Sequence, residues 1–267
     1  MPDGIFRVSE SMRAFSLRIA LEAAPGAGED CHFALLDERL AALCVADGCG
    51  GSGAHRYERC GNRTGAFLAS GLAINAFEQW LGAQATPFPR DAAESEAWRY
   101  SLASALRDRL RQFRRESLGL PISRVCGTLL RTLPTTLCAL LARPVGGTVD
   151  ALALWAGDSR AYVLTADGLS QLTRDDTLPD AMASLRADPP LRNLLDAEGD
   201  FTLHARRLHL PSPCALLCAS DGAFAYLPTP MEFELLLLRT LESARDAEDW
   251  AARLSRDLSS LAGDDVT

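Results

Sequence analysis

Leu43-Cys44-Val45-Ala46-Asp47-Gly48-Cys49-Gly50-Gly51 is an apolar run that ends in an aspartate and a glycine-rich turn. A continuous apolar run bounded by glycines reads as a buried strand of about four to six residues. Asp47 closes the strand, and the glycines leave the backbone beside it bare enough for a close approach. An acid at the mouth of a sheet, next to bare backbone, is placed to hold a hard cation, which takes carboxylate and carbonyl oxygens. Alone, the stretch is equally a strand followed by an Asp-Gly turn. Its weight comes from repetition, because Ala215-Leu216-Leu217-Cys218-Ala219-Ser220-Asp221-Gly222 has the same form.

Upstream of the run, Phe15 to Ala20 alternates as a first strand, and a Gly/Pro loop ends in Glu29 and Asp30. Cys31 to Leu36 reads as a second strand, Asp37-Glu38-Arg39 as a turn and Leu40 to Ala46 as the third strand. An antiparallel pair with so short a turn sets Glu29 and Asp30 beside Asp47. Downstream, residues 66–81 and 91–116 carry apolar residues at helical spacing, the second with a solvated, arginine-rich outer face. Strands are expected over 128–142, 149–156 and 161–164, with a hairpin turn at Asp167-Gly168. Residues 177–200 read as a long excursion with short helices. Further strands fall at 201–210 and 215–219, and helices at 230–241 and 246–261. Runs of strands followed by runs of helices argue an α+β fold rather than βαβ alternation. No repeat, low-complexity stretch or linker divides the chain, so one domain over 1–267 is the simplest expectation.

The 267 residues are 48% hydrophobic and 23% charged, and the net charge is −8. That balance argues against non-specific nucleic-acid binding. No apolar run approaches the roughly 18 residues of a membrane span, and no basic-then-apolar leader opens the chain, so a cytoplasmic protein is expected. Eight cysteines include no CxxC pair and the four histidines are not at ligand spacing, so any metal here is oxygen-bound. The acids at strand ends and loops are Glu29, Asp30, Asp47, Asp158, Asp221, Asp264 and Asp265. If they converge, they repel unless protons or cations neutralise them, and Mg2+ or Mn2+ is the natural neutraliser.

The series Glu29-Asp30, VADGCGG (45–51), GTLLRTLPTTLCALL (127–141), GDSRAYVL (157–164), LTRDD (172–176), LLCASDG (216–222) and GDDVT (263–267) resembles the metal-dependent protein phosphatase family (PPM, type 2C), in its bacterial form. Each motif is weak singly, but seven in order over residues 15–267 are a strong signal. The resemblance implies a four-layer α-β-β-α sandwich of two antiparallel sheets flanked by helices. It implies two Mn2+ or Mg2+ ions and a phosphoprotein substrate drawn from the targets of a Ser/Thr kinase. By the same resemblance Asp47 bridges both ions, Asp221 and Asp264 complete one, and the Gly48 carbonyl with Glu29 and Asp30 serves the other. Asp158 matches a residue that helps hold a third ion, and residues 173–200 match a variable flap.

The chain departs from the family pattern in four places. No arginine precedes the acid pair where the family grips the substrate phosphate, since Pro25-Gly26-Ala27-Gly28 fills that region. Arg56, Arg59 and Arg63 are the candidate substitutes, weighed against a reading as surface arginines. Cys49 stands where the family has histidine or methionine, and Asp265 where it commonly has asparagine. The family usually continues past the Asp264 motif with one more apolar strand. Here the sequence ends at Thr267, so that strand either lies beyond it or is missing, and if it is missing the Asp264 loop would be poorly anchored. These departures keep open a non-catalytic regulatory module of the same fold.

Overall fold

The hairpin turn at Asp37 sets the first pairing of the fold. The Asp37 carboxylate accepts from the backbone N–H of Arg39 (2.7 Å) and Leu40 (2.9 Å), a side chain closing its own turn. The computed structural model describes residues 6–7, 13–120, 131–177 and 191–267. In chain order these hold a small pair β1 (Phe6–Arg7) and β2 (Arg13–Ala14), then the hairpin β3 (Cys31–Leu36) and β4 (Ala41–Ala46). A single turn α1 (Gly50–Gly53) and a second small pair, β5 (Arg56–Tyr57) and β6 (Arg63–Thr64), lead into the helices α2 (Gly65–Gly82) and α3 (Ala92–Phe113). Next come β7 (Leu137–Val145), β8 (Thr148–Ala156), β9 (Arg160–Thr165) and β10 (Gly168–Gln171). The described chain closes with β11 (His204–Pro211), β12 (Ala215–Ala219), α4 (Pro230–Glu242) and α5 (Ala247–Ser259).

The main strands form two antiparallel sheets, one ordered β11-β8-β7-β4-β3 and one ordered β10-β9-β12. Side chains alternate across a strand, so a central strand of a sandwich feeds two cores. Strand β7 shows this directly. Leu137, Ala139 and Leu141 face α2 and α3, while Cys138, Leu140 and Ala142 face the other sheet. Strand β9 divides likewise, with Ala161 and Val163 turned inward and Tyr162 turned to α4 and α5. The result is the expected four-layer α-β-β-α arrangement. Asp91 and Asp246 start α3 and α5 as N-caps, each accepting from a backbone N–H three residues on.

Three expectations need correction. Residues 15–20 form no strand. Their alternation instead lays Leu17 and Ile19 on the α4/α5 core and Phe15 edge-on against Trp250, and no neighbouring strand pairs with them. The strand expected from Thr128 starts at Leu137, because Leu133 has a φ of 58° and Pro134 offers no N–H to a ladder; residues 128–130 lie outside the described set. Residues 191–200 make turns and isolated bridges rather than helix, and 178–190 of the expected excursion lie outside the described residues. Among the described residues no helix is long and apolar enough to cross a membrane.

Candidate metal centre

The last residue pair of the β3–β4 hairpin, Cys31 with Ala46, leaves Asp30 and Asp47 facing each other just past it. Asp47 is then fixed by its backbone. Its carbonyl accepts from Thr136 N (2.8 Å) and Thr135 Oγ1 (2.7 Å), and its N–H donates to Thr136 Oγ1 (3.1 Å). Both threonines are buried, and Thr136 Oγ1 also shares a hydrogen bond with Ser159 Oγ at 2.7 Å. One buried hydroxyl therefore ties the loop of Asp47 to the loop of Asp158. Gly48 follows in a slot: a Cβ on it would lie 2.7 Å from the Ala66 carbonyl and 2.8 Å from the Glu29 carbonyl. Only a residue without a side chain fits there.

The acids then act on one another. Burial, reinforced by Asp30, Asp221 and Asp158, holds the Asp47 carboxyl well above the carboxylate range. Burial likewise carries Asp30 to about 7, with a Ser220 hydrogen bond opposing and Asp265, Asp221 and Asp264 adding. Asp158 also reaches about 7, through burial and then Asp221. Glu29 is raised by burial, against a hydrogen bond from Thr64. One oxygen of Asp30, Oδ2, is buried with no hydrogen-bond partner. Carboxylates that raise each other's pKa, one with an orphaned buried oxygen, are a donor set suited to a hard divalent cation. Among the described residues no group of three or more His, Cys, Asp or Glu side chains is gathered closely enough to hold a metal ion as the side chains stand. The fold brings these carboxylates within electrostatic reach of one another.

Asp264 and Asp265 differ in place. Asp264 is exposed at the rim and accepts from its neighbour's N–H at 2.8 Å. Asp265 turns inward and accepts from Ala23 N (2.8 Å) and Glu29 N (2.6 Å), so it straps down the loop that carries the acid pair. Val266 exchanges two backbone bonds with Leu21, and Thr267 bonds to Ser220 through both its N–H and its carbonyl. The Asp264 segment is therefore well anchored, contrary to the expectation from sequence.

The three candidate arginines are all exposed, and Arg56 and Arg63 stand on the paired strands β5 and β6. Arg63 lies over the Phe67 ring and donates to the Gly26 carbonyl at 3.0 Å, inside the segment where an arginine is missing. The charge of Arg56 lowers the pKa of Glu29. Arg59 reaches instead toward Gly119, past the end of α3. Burial and then Asp47 push the Cys49 thiol well up.

Sequence reasoning missed the hydroxyl residues that hold the acids. Thr64 caps α2, accepting from Phe67 N at 3.1 Å, and donates to the Glu29 carboxylate. Thr135, Thr136, Ser159 and Ser220 complete the set. The available signal was a hydroxyl residue next to two of the acids, in Asp158-Ser159 and Ser220-Asp221.

A family profile described as protein phosphatase 2C matches residues 28–259. No curated protein sequence matches significantly. Among solved structures, the serine/threonine phosphatase PstP/Ppp of Mycobacterium tuberculosis is 20% identical, with 93% of each chain covered and a TM-score of 0.58. PppA of Pseudomonas aeruginosa, described as a key regulatory component of its T6SS, is 20% identical over 93% of this chain and 92% of its own, with a TM-score of 0.61. The catalytic domain of PstP in complex with 2 manganese ions is 21% identical over 93% of each chain, with a TM-score of 0.54.

Proposed function

Since the chain belongs to the protein phosphatase 2C family, we propose that it is a Mn2+- or Mg2+-dependent phosphatase that hydrolyses phosphoserine or phosphothreonine in proteins, as one domain acting in the cytoplasm on kinase targets. The observation that carries this reading is the gathering of Asp30, Asp47, Asp158 and Asp221 in one buried place. There burial first and neighbouring carboxylates next raise the pKa of Asp30, Asp47 and Asp158, with the unpartnered Asp30 Oδ2 among them. Asp47, Asp221 and Asp264 would hold one ion, and Asp47, the Gly48 carbonyl, Glu29 and Asp30 the other, with Asp158 available to a third. Bound ions of this kind supply Lewis acidity to water and neutralise charge on phosphoryl oxygens. The protein's own part is to hold these oxygens in place. Thr135 and Thr136 fix the Asp47 backbone, Thr64 fixes Glu29, and Asp265 fixes the loop between them. The narrow slot at Gly48 admits no side chain at that position. Arg63, with Arg56 beside it, is the cation offered to a substrate phosphate.

The test is hydrolysis of p-nitrophenyl phosphate and a phosphoserine peptide with and without Mn2+. Asp47→Ala is expected to lose activity by a factor of roughly a hundred or more. Absence of Mn2+-dependent turnover in the intact protein would sink the enzyme reading. A second reading, a non-catalytic regulatory module, is favoured by one observation: Arg63 already spends a donor on the Gly26 carbonyl. Calorimetric Mn2+ binding without turnover on either substrate would favour that module.

A further inference from the structure

The Asp158 turn is gripped on both sides by two adjacent acids, Asp175 and Asp176, that lie elsewhere in the chain. Residues 157–159 join β8 to β9. Gly157 has a φ of 102° and presses against Thr136, whose Cγ2 would lie 2.7 Å from any added Cβ. Its N–H donates to Asp176 Oδ2 at 3.1 Å, and its carbonyl accepts from Asp176 N at 3.0 Å. Ser159 is held by Thr136, and Arg160 is held by Asp175 through contacts of 2.6 to 3.1 Å. So residues 157, 159 and 160 are all pinned, and Asp158 is left to face Asp221.

Asp176 is itself steadied by two side chains. Asn193 Nδ2 donates to its Oδ2 at 2.5 Å, and His204 Nε2 lies 2.9 Å from its Oδ1. Asn193 is locked in turn by two bonds to the Thr202 backbone, and the His204 ring lies 5.2 Å from the Trp155 ring. The Asp176 carbonyl accepts from Arg192 N at 2.8 Å, next to the Thr177–Leu191 bridge. Gly157 N, Asn193 Nδ2 and His204 Nε2 already occupy three of the roughly four acceptor sites of the Asp176 carboxylate. It is built to hold a turn rather than a cation.

We infer that Asp176, steadied by Asn193 and His204, is a positioning residue that fixes the Gly157–Asp158 turn and so sets how strongly Asp158 binds a divalent cation. This rests on the reading of Asp158 as a metal-side acid. Groups that orient a ligand are worth roughly 10- to 100-fold in metal affinity. The test is titration calorimetry of Mn2+ into the full chain, comparing wild type, Asp158→Ala, Asp176→Ala and Asp176→Asn, with circular dichroism to confirm folding. Asp176→Ala is expected to weaken, by roughly tenfold or more, the binding step that Asp158→Ala removes. Asp176→Asn is expected to restore most of it, because an amide oxygen still accepts from Gly157 N. If Asp176→Ala does not fold, His204→Ala takes its place, with a weakening of roughly threefold expected. Wild-type binding by Asp176→Ala, or by a substituted His204→Ala, overturns the inference. So does an Asp176→Asn as weak as Asp176→Ala, since charge and not position would then matter, and so does an Asp158→Ala that binds as wild type does. Wild-type protein that binds no Mn2+ at all instead overturns the reading under Proposed function.

Discussion

Asp158 is one of three buried carboxyls through which the metal-free protein responds to pH. Burial, and then Asp221, carries its carboxyl from 3.8 to about 7. The folded state then keeps a proton that the unfolded chain has already released. Stability is therefore full below pH 3.8 and is lost as pH rises through 7. At about 1.4 kcal/mol per pH unit the whole loss is about 4 kcal/mol, of which about 2 kcal/mol falls above pH 5.5. For a chain of this size that is a Tm change of about 4–8 °C. Asp30 and Asp47 act in the same direction but share one field with Asp158, so their effects do not add. His32, whose pKa burial lowers, acts in the opposite direction below pH 6.5. Comparison with Asp158→Asn cancels His32. The assay is thermal unfolding of both proteins in EDTA at pH 5.5 and 8.0. The Tm of Asp158→Asn relative to wild type should rise by about 4–8 °C between the two pH values. Added Mn2+ should recover much of the wild-type loss at pH 8.0, because a ligand of the folded state stabilises it by mass action. A Tm difference that stays constant across this range would refute the claim that these carboxyls confront one another in the folded protein.

Three further outcomes follow from particular contacts. Thr136→Val removes the oxygen that Asp47 N and Ser159 share, and should cost roughly 1–3 kcal/mol in urea unfolding with weaker Mn2+ binding. Gly222→Ala puts a methyl where the Asp265 carbonyl sits, and should lower stability by roughly 1–3 kcal/mol while loosening residues 265–267 in hydrogen exchange. Arg63→Ala should raise KM for a phosphopeptide roughly tenfold with little change in kcat, whereas Arg59→Ala, which faces Gly119, should leave both unchanged.

Much of this fold was readable because strand and helix periods differ. The apolar spacing of residues 98–110 fits a helix only, whereas the continuous apolar run 137–142 reads as a buried strand through its short length and the turn residues around it. Residues 15–20 alternate, and they failed because a strand needs a partner that its own sequence does not reveal. The acids at 30, 47, 158 and 221 were visible as ends of apolar runs. The difference between Asp264 and Asp265 was not, since adjacent acids look alike until the chain direction at Val266 is known. Thr135 and Thr136 were hidden for a related reason. Next to an apolar run they resemble the start of a strand, and their role appears only when their hydroxyls meet a loop 88 or 89 residues away.

The acids are brought together by register more than by loop chemistry. A slip of one residue between β3 and β4 would turn every side chain of the hairpin to the other face. It would also carry Asp30 away from Asp47. Such a slip is blocked twice, because Asp37 closes the turn at one end and Ala42, Cys44, Val45 and Ala46 are buried between helices and the second sheet. The same holds for Asp221, which follows β12, and for Asp158, which follows β8; those strands meet β9 and β7 in fixed antiparallel register. Repulsion among the carboxyls is thus opposed by the packing of two sheets, which bury far more surface than the acids do. That is why a cluster of mutually destabilising charges can persist at the strand ends, ready for a cation, without unfolding the sandwich that presents it.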